Sequence, residues 1–310
     1  MLSTLIRTKR MAGDGLITDC VENLPVFTAP ALTNTGLVEH LFTTRLGGVS
    51  KGDCASLNLS FSRGDDPSCV AENYRRVAGA LHCRPEDIVA TKQTHTTNIL
   101  KVTKEDKGKG VVLPADYNDI DGLITNEEEI PLAVFTADCV PVLFLDKKNK
   151  AIGVAHCGWR GTAGKIGAML INRMEQEYGS KPEDFLVAIG PSICQECYEV
   201  GEDVAESFME VMKGTDKQIE SLREKNLYLP YRGGELSVLA PGKQPGKYQL
   251  DLWLANMLIL NKAGIAFEQM SVTEFCTCHN KELLFSHRGS QGKRGNLGGF
   301  IKLMHFTEEN

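Results

Sequence analysis

CVPVLFLDKKNKAIGVAHC, residues 139–157, holds two β-rich runs around a polar centre. Asp146, Lys147, Lys148 and Asn149 have the composition of a hairpin turn, and the flanking runs 139–145 and 151–156 are dense in Val, Ile, Leu and Phe. With those four residues as the loop, Leu145 faces Lys150 and Cys139 faces His156. Directly opposed residues hold their Cβ atoms about 4.5–5.5 Å apart on one face, close enough for a thiolate and an imidazole to share one ion or one proton. A one-residue slip would put the two on opposite faces, so the inference stands on the turn. Asp138, at the strand start, is placed to orient a ligand as a supporting carboxylate.

Packing alone explains a Cys opposite a His equally well, and a third polar group changes the balance. KQTHTTNI (92–99) places His95 among hydroxyl and amide side chains after the apolar IVAT. His95, Cys139 and His156 together make a His₂Cys set, and three protein donors with one open position is the arrangement of a catalytic zinc. Beyond His156 the chain turns through Cys157-Gly158-Trp159-Arg160-Gly161-Thr162 into a helical pattern at 164–178. Thr162 is the expected N-cap there, the helix start and Arg160 offer charge to an anion, and the glycines allow close backbone approach. Cys157 reads as a bystander.

Further out, amphipathic spacing predicts helices over 71–82, 164–178, 202–213, 216–226 and 251–263, the second with Ile166, Met169, Leu170, Met174 and Tyr178 on one face. Strands are expected at 37–43, 87–91, 111–113, 132–136, 185–190, 270–275 and 300–305 besides the hairpin. Several strands follow one another directly, which points to α+β rather than a strictly alternating wound sheet. Residues 1–24 read as a polar lead-in and 25–310 as a single catalytic domain, with the Gly/Pro-rich stretch 228–248 an inserted surface loop.

Composition narrows the function. The 310 residues are 42% hydrophobic and 24% charged, ordinary for a globular chain, and the net charge is −6 with scattered Lys and Arg. The basic footprint of a nucleic-acid binder is missing, so nucleic acid is not an expected partner. The basic Arg7-Lys9-Arg10 patch follows too few apolar residues for a secretory signal, and the best apolar stretch, PLAVFTADCVPVLFLD, is broken by Asp138 and Pro141, so a cytoplasmic chain off the membrane is expected. Ten cysteines in such a chain read as thiols, most of them small buried hydrophobes.

Taken in order, FTTRLGGVSKG (42–52), SLNLS (56–60), ENYRR (72–76), QTH (93–95), DGLIT (121–125), TADCVPVLF (136–144), VAHCGWRGT (154–162), GPSICQECYEV (190–200) and FSHRGSQGKRG (285–295) resemble the purine nucleoside phosphorylase family formerly described as laccase-domain or polyphenol oxidase proteins. The resemblance runs from about residue 37 to 304. It implies a single compact domain of mixed β-sheets sandwiched by helices, holding zinc through His95, Cys139 and His156, which then serve as catalytic residues. It also implies phosphorolysis of adenosine, inosine, guanosine and methylthioadenosine, hydrolytic deamination of adenosine, and a purine nucleoside and phosphate as the bound partners. Asn58, Arg75 and Arg45, with Arg160, are the positions expected to line the nucleoside or phosphate pocket. Two departures stand out: Thr96 follows QTH, and Cys157 occupies a position where a small residue is common in that family.

Three other readings compete. A copper-dependent polyphenol oxidoreductase would draw on His-x-His pairs, and this chain has seven histidines and no such pair, although copper can substitute at an N/S site. A cysteine hydrolase would use Cys139 as nucleophile and His156 as base, leaving His95 idle. A zinc-stabilised scaffold would close a separate site from Cys194, Cys197, Cys276, Cys278 and His279, but the C-x-C-H spacing is unusual, and these are expected to be ordinary thiols.

Overall fold

Side-chain alternation along the hairpin sets the layers. In the strand Val140–Asp146, Val140, Val142 and Phe144 join one apolar cluster, whereas Leu143 and Leu145 join another. Across the turn, in Ala151–Cys157, Ala155 and Cys157 belong to the first cluster and Ile152 and Val154 to the second. Both strands are buried throughout, as central strands covered on both faces must be. The computed structural model describes residues 4–7, 15–229 and 234–305.

The hairpin lies at the centre of a six-stranded sheet in the order Met270–Val272, Phe185–Ile189, Val140–Asp146, Ala151–Cys157, Gly122–Thr125, Ile99–Lys101. A second six-stranded sheet runs Ile17–Val21, Leu24–Thr28, Val38–Thr43, Leu297–Leu303, Leu132–Thr136, Val89–Ala90. Each mixes antiparallel with parallel pairing, parallel between Phe185–Ile189 and Met270–Val272 and between Ile99–Lys101 and Gly122–Thr125 in the first, and between Val89–Ala90 and Leu132–Thr136 in the second. The sheets meet face to face through Phe27, Phe42 and Val134 on one side and Leu143, Leu145, Ile152 and Val154 on the other. Each large side chain so buried contributes about 1.5–3 kcal/mol, so layer contact rather than any isolated element holds the fold.

Helices cover the outer faces. Pro67–Ala80 lays Val70, Tyr74 and Val77 on Leu41, Ala133 and Phe300, and its start is set by Pro67 and by the Asp66 carboxylate, which accepts from Ser68 N at 2.8 Å. Ile166–Tyr178 and the almost wholly buried Leu252–Lys262 cover the hairpin sheet. The architecture is α+β, with mixed sheets sandwiched by helices, as expected. Among the described residues, no helix is long and apolar enough to cross a membrane.

Several expectations need correction. The turn comprises residues 147–150, so Asp146 pairs with Ala151 and Pro141, not Cys139, pairs with His156. Asp146 explains the shift: its buried carboxylate accepts from Lys148 N, Asn149 N and Asn149 Nδ2 at 2.7–3.0 Å, which needs the turn behind it. Within the stretch read as a lead-in, Ile17–Val21 forms an edge strand paired with Leu24–Thr28; Lys9 and Arg10 of the basic patch lie outside the described residues. The 228–248 excursion supplies Leu239–Pro241 and part of Tyr248–Leu250, which form a small sheet with Glu199–Val200, while 230–233 lie outside the described residues. Residues 111–113 form a turn, not a strand, and Met169 is exposed while Gly167 takes its place against Leu260.

Candidate metal centre

Pairing of Pro141 with His156 places Cys139 one step diagonal to His156, opposite Gly158. The displacement from direct opposition is two residues, which keeps both side chains on the inter-sheet face. His95 arrives from the loop after Val89–Ala90. Its Nε2 lies 3.9 Å from Cys139 Sγ, and its ring meets His156 edge-on with centroids 4.8 Å apart. The donor atoms of His95, Cys139 and His156 all lie within 4.8 Å of one another. Two imidazoles and a thiol suit a divalent N/S-binding ion. Room for one is kept by Gly158, where a Cβ would stand 2.8 Å from His95 Cδ2 and 3.1 Å from Cys139 Sγ.

Two carboxylates build this geometry. Asp121, fully buried at the start of Gly122–Thr125, accepts from His156 Nδ1 at 2.8 Å, which turns His156 Nε2 toward the other donors. The same carboxylate accepts from the backbone N–H groups of Thr94, His95 and Thr96 at 2.9–3.0 Å and from the Thr96 hydroxyl at 2.9 Å. It thereby holds His95 at φ +69°, a left-handed conformation that a non-glycine residue adopts only when its surroundings demand it. Burial pushes the Asp121 carboxyl up, but His156 and the backbone donors outweigh it and bring it down to about 2. Asp138 stands at φ +91° immediately before Cys139, held by Thr277 Oγ1, Ser286 Oγ and Arg288 N at 2.6–2.7 Å. It fixes where the strand after Cys139 begins, while its carboxylate bonds none of the three donors.

Burial raises the Cys139 thiol, yet His156 beside it pulls the thiol down to about 6. His156 is the mirror case: burial lowers it, and the Cys139 thiolate and Asp121 raise it to about 9. The pair is therefore built to hold one thiolate against one positive charge, a proton or a metal cation. Cys157 points to the helix-covered face, is fully buried, and has its thiol pushed far up by burial, which makes it inert.

The three donors face a cavity of about 700 Å³ lined by Ser60, Thr91, Lys92, Gln93, Phe135 and Asn296 among others. Its mouth carries Phe61, Val112 and Leu113, 45%, 45% and 53% exposed, and Phe61 stacks on Tyr74 with centroids 5.8 Å apart. Arg63 and Arg294 also line it. Arg294 Nε is buried with no hydrogen-bond partner among the described residues, and burial together with Arg63 lowers its guanidinium to about 10, still cationic at neutral pH.

The residues expected to line the pocket are placed elsewhere. Asn58 is fully buried, and its amide is spent on Ser60 O, Asp65 Oδ2, Ser60 N and Asn296 N. Arg75 pairs with Glu72 and faces a neighbouring hollow, and Arg45 donates to Ala55 O and Lys281 O beneath Phe285. Arg160 is exposed and stacked on Trp159. Gly158, not Thr162, caps the short helix Trp159–Ala163, and Lys165 caps the helix that follows; the Thr162 hydroxyl is used inside, donating to Cys157 O and accepting from Asn256 Nδ2. Arg63, Arg294 and Asp121 were missed. For Asp121 a signal existed, a carboxylate opening a buried strand with no charge to pair it in sequence.

Cys194, Cys197, Cys276 and His279, weighed from the sequence as a separate structural site but expected to be ordinary thiols, come together with their donor atoms within 4.8 Å of one another.

Residues 39–304 match the family described as multi-copper polyphenol oxidoreductase laccase. The purine nucleoside phosphorylase YlmD of Geobacillus stearothermophilus is 38% identical over 260 residues, 84% of this chain and 88% of that protein. The protein of the same name in Bacillus subtilis is 35% identical over 264 residues, 84% of this chain and 86% of its own. The crystal structure of YlmD from Geobacillus stearothermophilus matches with a TM-score of 0.76 at 35% identity, covering 90% of this chain and 96% of that one. A Bacillus licheniformis hypothetical protein, YfiH, matches at 0.79 with 31% identity and the same coverage. A family match spanning nearly the whole length, joined to shared fold and identity, means that the chain belongs to this laccase-like polyphenol oxidoreductase family, two of whose members, from Geobacillus stearothermophilus and Bacillus subtilis, are named purine nucleoside phosphorylase.

Proposed function

We propose that the chain is a cytoplasmic, zinc-dependent purine nucleoside enzyme that cleaves adenosine, inosine, guanosine and methylthioadenosine with phosphate and deaminates adenosine with water. The observation that carries this reading is the convergence of His95, Cys139 and His156 on a cavity that also holds a half-buried arginine, Arg294, whose Nη1 donates to Gly295 O and Asn296 Oδ1 and whose buried Nε has no partner among the described residues, and an apolar rim. A flat purine suits the rim of Phe61, Val112 and Leu113, where exposed apolar side chains otherwise have no use. Phosphate suits Arg294 and Arg63, since a guanidinium fork matches a phosphate's oxygens.

In phosphorolysis a phosphate oxygen bonds to ribose C1′ as the bond from C1′ to the purine nitrogen breaks, and the electron pair leaves with the base. Arg294 and Arg63 neutralise the phosphate and hold it against the sugar. The rim keeps water from the base face. In deamination, water adds at purine C6 and ammonia leaves. Asp121 keeps His156 Nδ1 protonated and its Nε2 turned to the centre, and Asp138 holds Cys139 in place for both reactions. A divalent ion bound by His95, Cys139 and His156 would supply Lewis acidity there.

The deciding experiment incubates purified protein with adenosine, with and without phosphate, and identifies products by mass. Adenine with ribose phosphate, and inosine without phosphate, support the proposal; no turnover in either sinks it. Copper(II) binds N/S donors more tightly than zinc, so phenol oxidation is expected only from copper-loaded protein, and metal analysis after purification without added copper separates that reading. The low thiol of Cys139 also favours a nucleophilic cysteine; loss of activity to iodoacetamide that neither chelation nor added zinc alters would support it instead.

A further inference from the structure

We infer that Cys194, Cys197, Cys276 and His279 form a second, closed zinc site that braces the first. The donors come from two short segments, Cys-x₂-Cys in SICQEC and Cys-x₂-His in CTCH. Cys197 Sγ lies 3.3 Å from one ring nitrogen of His279, Cys194 Sγ lies 3.7 Å from the other, and Cys276 Sγ accepts from Cys194 N at 3.3 Å. Cys194 and Cys276 are 1% and 0% exposed, and Cys197 and His279 are half-buried. Three thiols and an imidazole crowded so closely, two of the thiols fully buried, are poorly served as hydrogen-bond donors to one another. Four soft donors within one tetrahedron's span suit a single zinc, and four protein ligands leave no position open, which marks a structural rather than a catalytic site.

The backbone already joins the two segments. Ser192 bridges Cys276, Thr277 N donates to Ser192 O at 3.1 Å, and Trp253 Nε1 donates to Ser192 Oγ at 2.6 Å. The same segments grip the start of the Cys139 strand: Ile193 N donates to Asp138 O at 3.0 Å, and Thr277 Oγ1 donates to the Asp138 carboxylate. Thr277 sits directly after one ligand and Ile193 directly before another. An ion tying these segments therefore fixes two of the hydrogen bonds that hold Asp138 at its strained φ of +91° and, through it, the position of Cys139.

Zinc content and free thiols measured on the full chain, purified without chelator, test the site. Two zinc ions per wild-type chain are expected, one in His95→Ala and one in His279→Ala. Cobalt loaded into His95→Ala should give the strong thiolate-to-cobalt charge-transfer absorption of a three-thiolate site, and cobalt loaded into His279→Ala a markedly weaker one. These readouts need no activity, so they stand apart from the nucleoside reading. The site is overturned if His95→Ala binds no zinc, or if intact mass shows a disulfide among Cys194, Cys197 and Cys276. For the brace, competition with a chelator should show the remaining zinc of His279→Ala bound about tenfold more weakly than at the same centre of the wild type. Unchanged affinity there overturns the brace.

Discussion

Replacing Gly158 by alanine perturbs the metal centre and little else. Gly158 has φ −65° and ψ 172°, open to any residue, so alanine adds a methyl group without backbone strain. That methyl stands 2.8 Å from His95 Cδ2, 3.1 Å from Cys139 Sγ and 3.5 Å from His156 Cε1, whereas ordinary contact begins at 3.4 Å. His95 must give way by about 0.6 Å and Cys139 by about 0.3 Å, against a tolerance of about 0.2 Å in metal–ligand distance. His95 resists because Asp121 holds its backbone, so the strain falls on the ligand geometry. Zinc affinity should drop about 10–100-fold, or ~1.4–2.7 kcal/mol, while the unfolding free energy of the metal-free protein changes by no more than about 1 kcal/mol. Chelator competition measures the first and urea unfolding of stripped protein the second. Unchanged affinity would refute the assignment of the centre, and an equal loss of stability in the metal-free protein would show that the methyl damages the fold instead.

Asp121→Asn turns an acceptor of five hydrogen bonds into a group that presents N–H to N–H; metal-free protein should lose about 2–4 kcal/mol by urea unfolding, and zinc should bind about 10–100-fold more weakly. Arg294→Lys keeps the charge but loses the fork, so the KM for phosphate should rise about 10–100-fold while the KM for the nucleoside stays put. His40, whose buried Nε2 accepts from Ala29 N at 2.8 Å, is lowered by burial from 6.5 to about 4. The unfolded chain thus takes up the proton first, and stability present above pH 6.5 falls by about 3 kcal/mol as pH drops to about 4; urea midpoints across that range should flatten in His40→Gln. Cys157→Ala should leave zinc content unchanged and cost about 1 kcal/mol by the same unfolding measurement.

The hairpin was legible because burial on both faces leaves an apolar run that only a polar turn can interrupt. Its register was not, because Asp146 has the composition of the turn yet belongs to the strand, serving the turn with its side chain alone. The inference about Cys139 and His156 survives that error through parity, since a shift of two residues preserves the face. His95 could be proposed from its polar surroundings, but the force that delivers it comes from Asp121, 26 residues later, through a backbone hydrogen bond that leaves no trace in local pattern. Asn58 shows the same logic in reverse. Its motif reads as a ligand-facing amide, while the folded chain uses that amide to hold Asn296 N at 3.0 Å, two residues from the half-buried Arg294. The side chains that shape this site thus act largely on other backbones: Asp121 on the His95 loop, Asn58 on the Asn296 N–H, and Asp138, before Cys139, on the Arg288 N–H. A residue that works through a distant backbone has a free choice of neighbours in sequence, so its role is fixed by the fold and becomes visible only there.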